Sequence, residues 1–64
     1  MNLKYTTHPA AEAAVWVEVL NETETGVIYA DTDTPIEEYR LEWIDDEYVK
    51  ILCLDSVGRV LGEL

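Results

Sequence analysis

YRLEWIDDEYVKILCLDSVGRVLGEL, residues 39–64, is the stretch whose reading decides the fold. Tyr39, Leu41 and Trp43 alternate with Arg40 and Glu42, the period of two expected of a half-buried strand. Asp45-Asp46-Glu47 is an acidic turn, and YVKILCLD (48–55) resumes as a strand rich in β-branched and aliphatic residues. Asp55-Ser56-Val57-Gly58 has the composition of a second turn and leads into RVLGEL (59–64). Two consecutive hairpins are therefore predicted at this end of the chain.

Working outward, Leu3-Lys-Tyr-Thr6 alternates and predicts a short first strand, halted by His8-Pro9 because proline disfavours a helical residue before it. Pro9 to Ala14 suits one helical turn. VWVEVL (15–20) is β-branched and aromatic, with Val15, Val17 and Val19 on one face and Trp16, Glu18 and Leu20 on the other; apolar groups on both faces predict a central strand. NETETG (21–26) reads as a turn and GVIYA (26–30) as a further strand. Thr34-Pro35-Ile36-Glu37 matches a capping box, placing a short helical turn at 35–39. The expected architecture is a single domain over residues 1–64: mostly β, a small antiparallel sheet of five or six short strands in consecutive hairpins, with that one helical turn.

Composition narrows the function. Fourteen Asp and Glu face four Lys and Arg among 64 residues, for a formal net charge of −10. Phosphate neutralisation and docking on an anionic membrane both require clustered cations, so direct nucleic-acid and membrane binding are excluded. A chain this short buries only about 60% of its unfolded surface, a marginal fraction. The single cysteine rules out an internal disulfide, which leaves a homodimer or a bound partner as the usual supports. The N-terminal residues have no apolar signal region, and the longest apolar run, Ala13–Val17, is too short to span a bilayer. A cytoplasmic location is expected, and the Asn21-Glu22-Thr23 sequon is read as chance.

No catalytic constellation is present. His8 is the only histidine and lies in a turn, whereas the only thiol, Cys53, is central in an apolar strand, where packing is its ordinary role. Three glycines cannot supply a phosphate loop, and no G-x-S-x-G elbow occurs. Asp31-x-Asp33 begins like a calcium loop but puts Ile36 where the sharp turn needs glycine. Paired carboxylates such as Glu37/Glu38 and Asp45/Asp46 fall in predicted turns open to water, whereas dividing acid and base work requires a buried pair. The chain is accordingly read as a non-enzyme without metal or cofactor.

The charge is not spread evenly. Residues 1–21 carry a net −1 and residues 48–64 a net of zero. Between them, Glu22, Glu24, Asp31, Asp33, Glu37, Glu38, Glu42, Asp45, Asp46 and Glu47 stand against Arg40 alone, a net −9. These ten carboxylates form the candidate binding patch for a basic partner. Six aromatics lie on predicted strands, more than so small a core can bury, and Trp43, Trp16 and Tyr39 are the candidate anchors.

The two ends of the chain, LKYTTHPAAEAAVWVEVL (3–20) and LDSVGRVLGEL (54–64), resemble a family of small uncharacterised prokaryotic domains. Its members look like a tyrosine-ending first strand, a Pro/Glu/Ala/Asp turn, an apolar-aromatic second strand and a closing D-x-x-G-R-V-x-G-x-E-L-type hairpin. Asp55, Gly58, Arg59, Val60, Gly62 and Glu63 stand at the matching places. The chain departs from the pattern in a longer first turn, in Ala13 where the family tends to have Asp, and in its acidic middle. Members are often encoded beside small toxins resembling RelE-type ribonucleases, so the resemblance implies an antitoxin-like role and supplies no catalytic residues.

The expected function is thus an acidic interaction module that binds and neutralises a basic, nucleic-acid-acting protein, with a toxin ranked first. The alternative is a phage-type nucleic-acid mimic that inhibits a restriction enzyme, CRISPR effector, DNA glycosylase or polymerase. A further alternative is a structural domain adapted to high salt.

Overall fold

The computed structural model describes residues 7–64. Five elements follow one another: β1 (His8–Pro9), α1 (Ala10–Thr23), β2 (Glu38–Trp43), β3 (Tyr48–Leu54) and β4 (Val60–Glu63). β3 is the spine of a four-stranded antiparallel sheet. β2 pairs along one side of it, from Glu38 opposite Leu54 to Trp43 opposite Val49. β1 and β4 share its other side, β1 at Tyr48 and Val49, β4 at Leu52 to Leu54 with an irregular register at Cys53/Leu54. Both predicted C-terminal hairpins are present.

β3 carries Val49, Ile51 and Cys53 on one face, all fully buried, and these meet the helix at Ala13 with Val17 and Leu20 packed alongside. Tyr39 and Ile36 complete this core. The alternate residues of β2 and β3, Glu38, Arg40 and Glu42 beside Lys50, Leu52 and the buried Leu54, lie on the face opposite the helix. Glu42 stands directly opposite Lys50 there, and Lys50 Nζ also lies 3.5 Å from Glu63 Oε2.

The largest correction concerns residues 15–20, which belong to α1 and form no strand. The core-facing positions Ala10, Ala13, Val17 and Leu20 recur at helical spacing. Apolar residues on the outer side, Val15, Trp16 and Val19, hide that stripe behind an apparent two-faced strand pattern. Pro9 precedes the first helical residue with φ −57° and ψ 133°, the extended conformation of a helix entry, and no side chain caps it. Instead the Ala10 N–H donates to Glu47 O at 2.8 Å, so the turn between β2 and β3 satisfies one of the helix's free donors.

Two more expectations change. The 35–39 segment forms no helical turn, because Pro35 bridges Ile28, Ile36 enters the core and Glu38 already begins β2. Residues 26–30 form only that isolated bridge, within a narrow ribbon in which Gly26 N–H donates to Ile36 O and Ile36 N–H to Val27 O. The number of described strands is four, and a helix of 14 residues makes the domain a sheet with one covering helix. The strand expected at 3–6 lies outside the described residues.

Candidate protein-binding surface

The turn that joins β2 to β3 is held by its own first acid. Asp45 Oδ1 accepts from the backbone N–H groups of Glu47 and Tyr48 at 2.8 and 2.9 Å, while Ile44 N–H donates to Tyr48 O at 2.9 Å. The Glu47 and Tyr48 amides hold the Asp45 carboxyl below its ordinary range. Asp45 is therefore committed to shaping the turn, and Asp46 and Glu47 are the carboxylates it presents. A shallow, open depression is lined by these three residues.

Around this tip the apolar side chains face water. Trp43 is 60% exposed, and Ile44 and Tyr48 are exposed beside it. His8 and Trp43 flank Val49 from its two neighbouring strands, and Trp16 meets the His8 ring edge-on at 5.1 Å between centroids. Both tryptophans thus sit at the end of the sheet that bears the acidic turn. Trp16 is 42% exposed, less than Trp43.

Tyr39, the third anchor candidate, is withdrawn from the surface. It is 4% exposed, its hydroxyl donates to Glu24 O at 2.9 Å, and burial, with Cys53 and Glu24 nearby, pushes its pKa up. Its backbone is held as well, since Asn21 Nδ2 donates to Tyr39 O at 3.0 Å and Tyr39 N–H donates to Asn21 Oδ1 at 2.8 Å. The Asn21 carboxamide thereby takes the place of a neighbouring strand. Sequence reading placed Asn21 in a turn and missed this role; its position four residues after Val17 on the core stripe was the available signal.

All ten candidate carboxylates are exposed, but they do not form one patch. Asp45, Asp46 and Glu47 cluster at the tip, with Glu42 on the open face of the sheet just before it. Glu22, Glu24, Glu37 and Glu38 gather at the opposite end of β2, about 17 Å away by strand rise; Glu38 is paired there with Arg40 at 3.0 Å. Asp31 and Asp33 occupy the loop beyond Ala30. Among the described residues no group of three or more His, Cys, Asp or Glu could hold a metal ion.

The other chemical groups are engaged within the fold. Cys53 is fully buried and its thiol is pushed up by that burial, which disfavours the reactive thiolate. His8 stands opposite Val49, about 13 Å of strand from Cys53, and its Nε2 contacts Leu64 O at 3.1 Å. The closing motif also has a mechanical reading. Asp55 Oδ1 accepts from Val57 and Arg59 N–H, Asp55 Oδ2 meets Arg59 Nε at 3.3 Å, and Gly58 adopts φ +86°. Among these, the Arg59 amide does most to hold the Asp55 carboxyl below its ordinary range.

No protein-family model, curated protein or solved structure matches the chain. No helix among the described residues is long and apolar enough to cross a membrane.

Proposed function

We propose that this chain is a non-enzymatic interaction module that binds and neutralises a basic, nucleic-acid-acting protein, in the manner of an antitoxin, through the tip of the β2–β3 hairpin. One observation carries the reading: the exposed Trp43, Ile44 and Tyr48 adjoin Asp46 and Glu47 on a turn that Asp45 holds by two hydrogen bonds. An aromatic centre with a charged rim is the anatomy of a binding hot spot. The carboxylates steer a cationic partner inward, and burial of Trp43 slows its departure. The closing-hairpin motif supports the antitoxin form of this reading, and the cytoplasm is where such a partner would be met.

Capture from lysate on immobilised protein, followed by kinetics on the captured partner, tests it. Reversing Asp46 and Glu47 to Lys, with Asp45 left intact, is expected to slow association about tenfold or more at low salt and to do little at high salt. Trp43→Ala is expected to cost about 2 kcal/mol, mainly as faster dissociation. Equal association of wild type and the double reversal at low salt would sink the reading. Competition with duplex DNA then separates a nucleic-acid mimic, which DNA displaces, from a binder of another surface.

A further inference from the structure

The outer edge of β2 is half closed. In an antiparallel strand, successive residues direct their N–H and C=O groups alternately to either side. Ile44 N–H donates inward to Tyr48 O, and the Tyr39 groups are held outward by Asn21. Leu41 and Trp43 therefore share the Tyr39 orientation. Their two N–H and two C=O groups point away from β3 and find no partner among the described residues. Asn21 plugs one end of this edge, and the Asp45 turn bounds the other, where Asp45 N–H is already directed to Tyr48 O.

We propose that the Leu41–Trp43 edge takes an extended segment of the basic partner as an added strand, with a Lys or Arg opposite Glu42 and apolar residues over Leu41 and Trp43. The inference rests on the basic-partner reading above and names the segment that would be recognised. Strand addition gains affinity from main-chain hydrogen bonds and specificity from alternate side chains. On one face, Glu42 projects beside the added strand; on the other, half-buried Leu41 and exposed Trp43 offer apolar contact. Carboxylates stand at both ends of the edge, Asp46 and Glu47 at one and Glu22 and Glu24 at the other, so a cationic strand is favoured along its length.

A second copy of this chain is a poorer occupant. The antiparallel register that engages all four of these groups pairs Leu41 with Trp43 of the copy, and this sets Glu42 against Glu42 of the copy. Centring the pair on Leu41 would match Arg40 to Glu42, but it requires the Tyr39 groups that Asn21 occupies. Like charges directly opposed on a sheet are destabilising, and each chain carries −10. The outer edge of β4 is less suited to a cationic strand, since Glu63, its one carboxylate, already faces Lys50.

The test uses a capped heptapeptide alternating valine and lysine, and the same peptide N-methylated at the amides that would face the edge. In the free protein the Leu41 and Trp43 amides are expected to exchange quickly with solvent while Glu42 and Ile44 are protected. Saturating peptide is expected to protect Leu41 and Trp43 at least tenfold, and N-methylation to weaken binding at least tenfold. Glu42→Lys is expected to lose the lysine peptide and to prefer one alternating valine and glutamate. Equal binding of the N-methylated peptide, with NMR shifts confined to Asp46 and Glu47, overturns the added strand while leaving the acidic tip as a docking surface. Absence of binding by either peptide overturns it too, and capture of a partner by the wild-type protein then judges the tip alone. Concentration-dependent protection of Leu41 and Trp43 without peptide, accompanied by a sedimenting dimer, overturns it in favour of self-pairing.

Discussion

At the scale of single residues, the chain divides its polar groups between shaping turns and facing a partner. Asp45 and Asp55 do the first. Each accepts backbone N–H groups across its own turn, so substitution there disturbs geometry before it disturbs any interface. Two backbone positions are equally specific. Ala30 sits at φ +44°, in the left-handed region that costs an L-residue roughly 1–2 kcal/mol. Ala30→Gly is expected to gain about 0.5–1 kcal/mol, offset in part by unfolded-chain entropy, and to raise the melting temperature by a few degrees. A Cβ at Gly62 would run into the hydroxyl and ring of Tyr29. Gly62→Ala should therefore cost about 1–3 kcal/mol, with Tyr29 displaced, a change that denaturant melts and the Tyr29 ring resonances would reveal.

At the scale of elements, α1 is electrostatically at odds with its own dipole. Glu12 lies favourably in the first turn, but no basic residue occupies the last turn, and Glu22 stands there against the partial negative charge. Glu22→Lys is expected to raise stability by about 0.3–1 kcal/mol at low salt, an effect that fades in molar salt. The helix also shows where sequence reading succeeds and fails. The hairpins were legible because Tyr39, Leu41 and Trp43 alternate against solvent on a strand with one open face. VWVEVL was misread because local β propensity and apolar residues on its outer side outweighed the stripe Ala10, Ala13, Val17, Leu20. Only the need of Val49, Ile51 and Cys53 for a cover decides in favour of a helix there, and that is a tertiary demand no local window contains. The tip's exposed aromatics were partly legible, Trp43 by its place beside the acidic turn, whereas Tyr39 looked identical to it by period and is buried by Asn21 and Glu24 contacts from a distant element.

At the scale of the molecule, principal extents of 31 × 27 × 17 Å fit the two layers formed by the described residues, one helix on one sheet. The solvent-accessible area of 4341 Å2 is close to the roughly 4,200 Å2 expected for a compact chain of this mass. Stability should respond to acid in a definite direction. Asp45 and Asp55 have folded-state pKa values below their ordinary ones, so their contribution is complete above the unfolded value near 4 and is lost as pH falls below it. Melts between pH 6 and 2 should show destabilisation setting in below about pH 4, with a shallower slope for Asp55→Asn than for wild type. Salt separates two origins of the acidity. A domain adapted to high salt would gain stability steadily up to molar KCl, and a flat melting temperature over that range would remove that reading.

The Asn21 carboxamide has a consequence for how these molecules avoid one another in a crowded solution. By occupying Tyr39 it withholds the one register in which two copies could zip together with Arg40 against Glu42 on both sides. Asn21→Ala should weaken the monomer by about 1–2 kcal/mol, the net worth of two hydrogen bonds. It should also yield a concentration-dependent dimer visible by sedimentation. A single side chain would then separate the lone domain from a closed two-fold dimer that occupies the β2 edge of both copies.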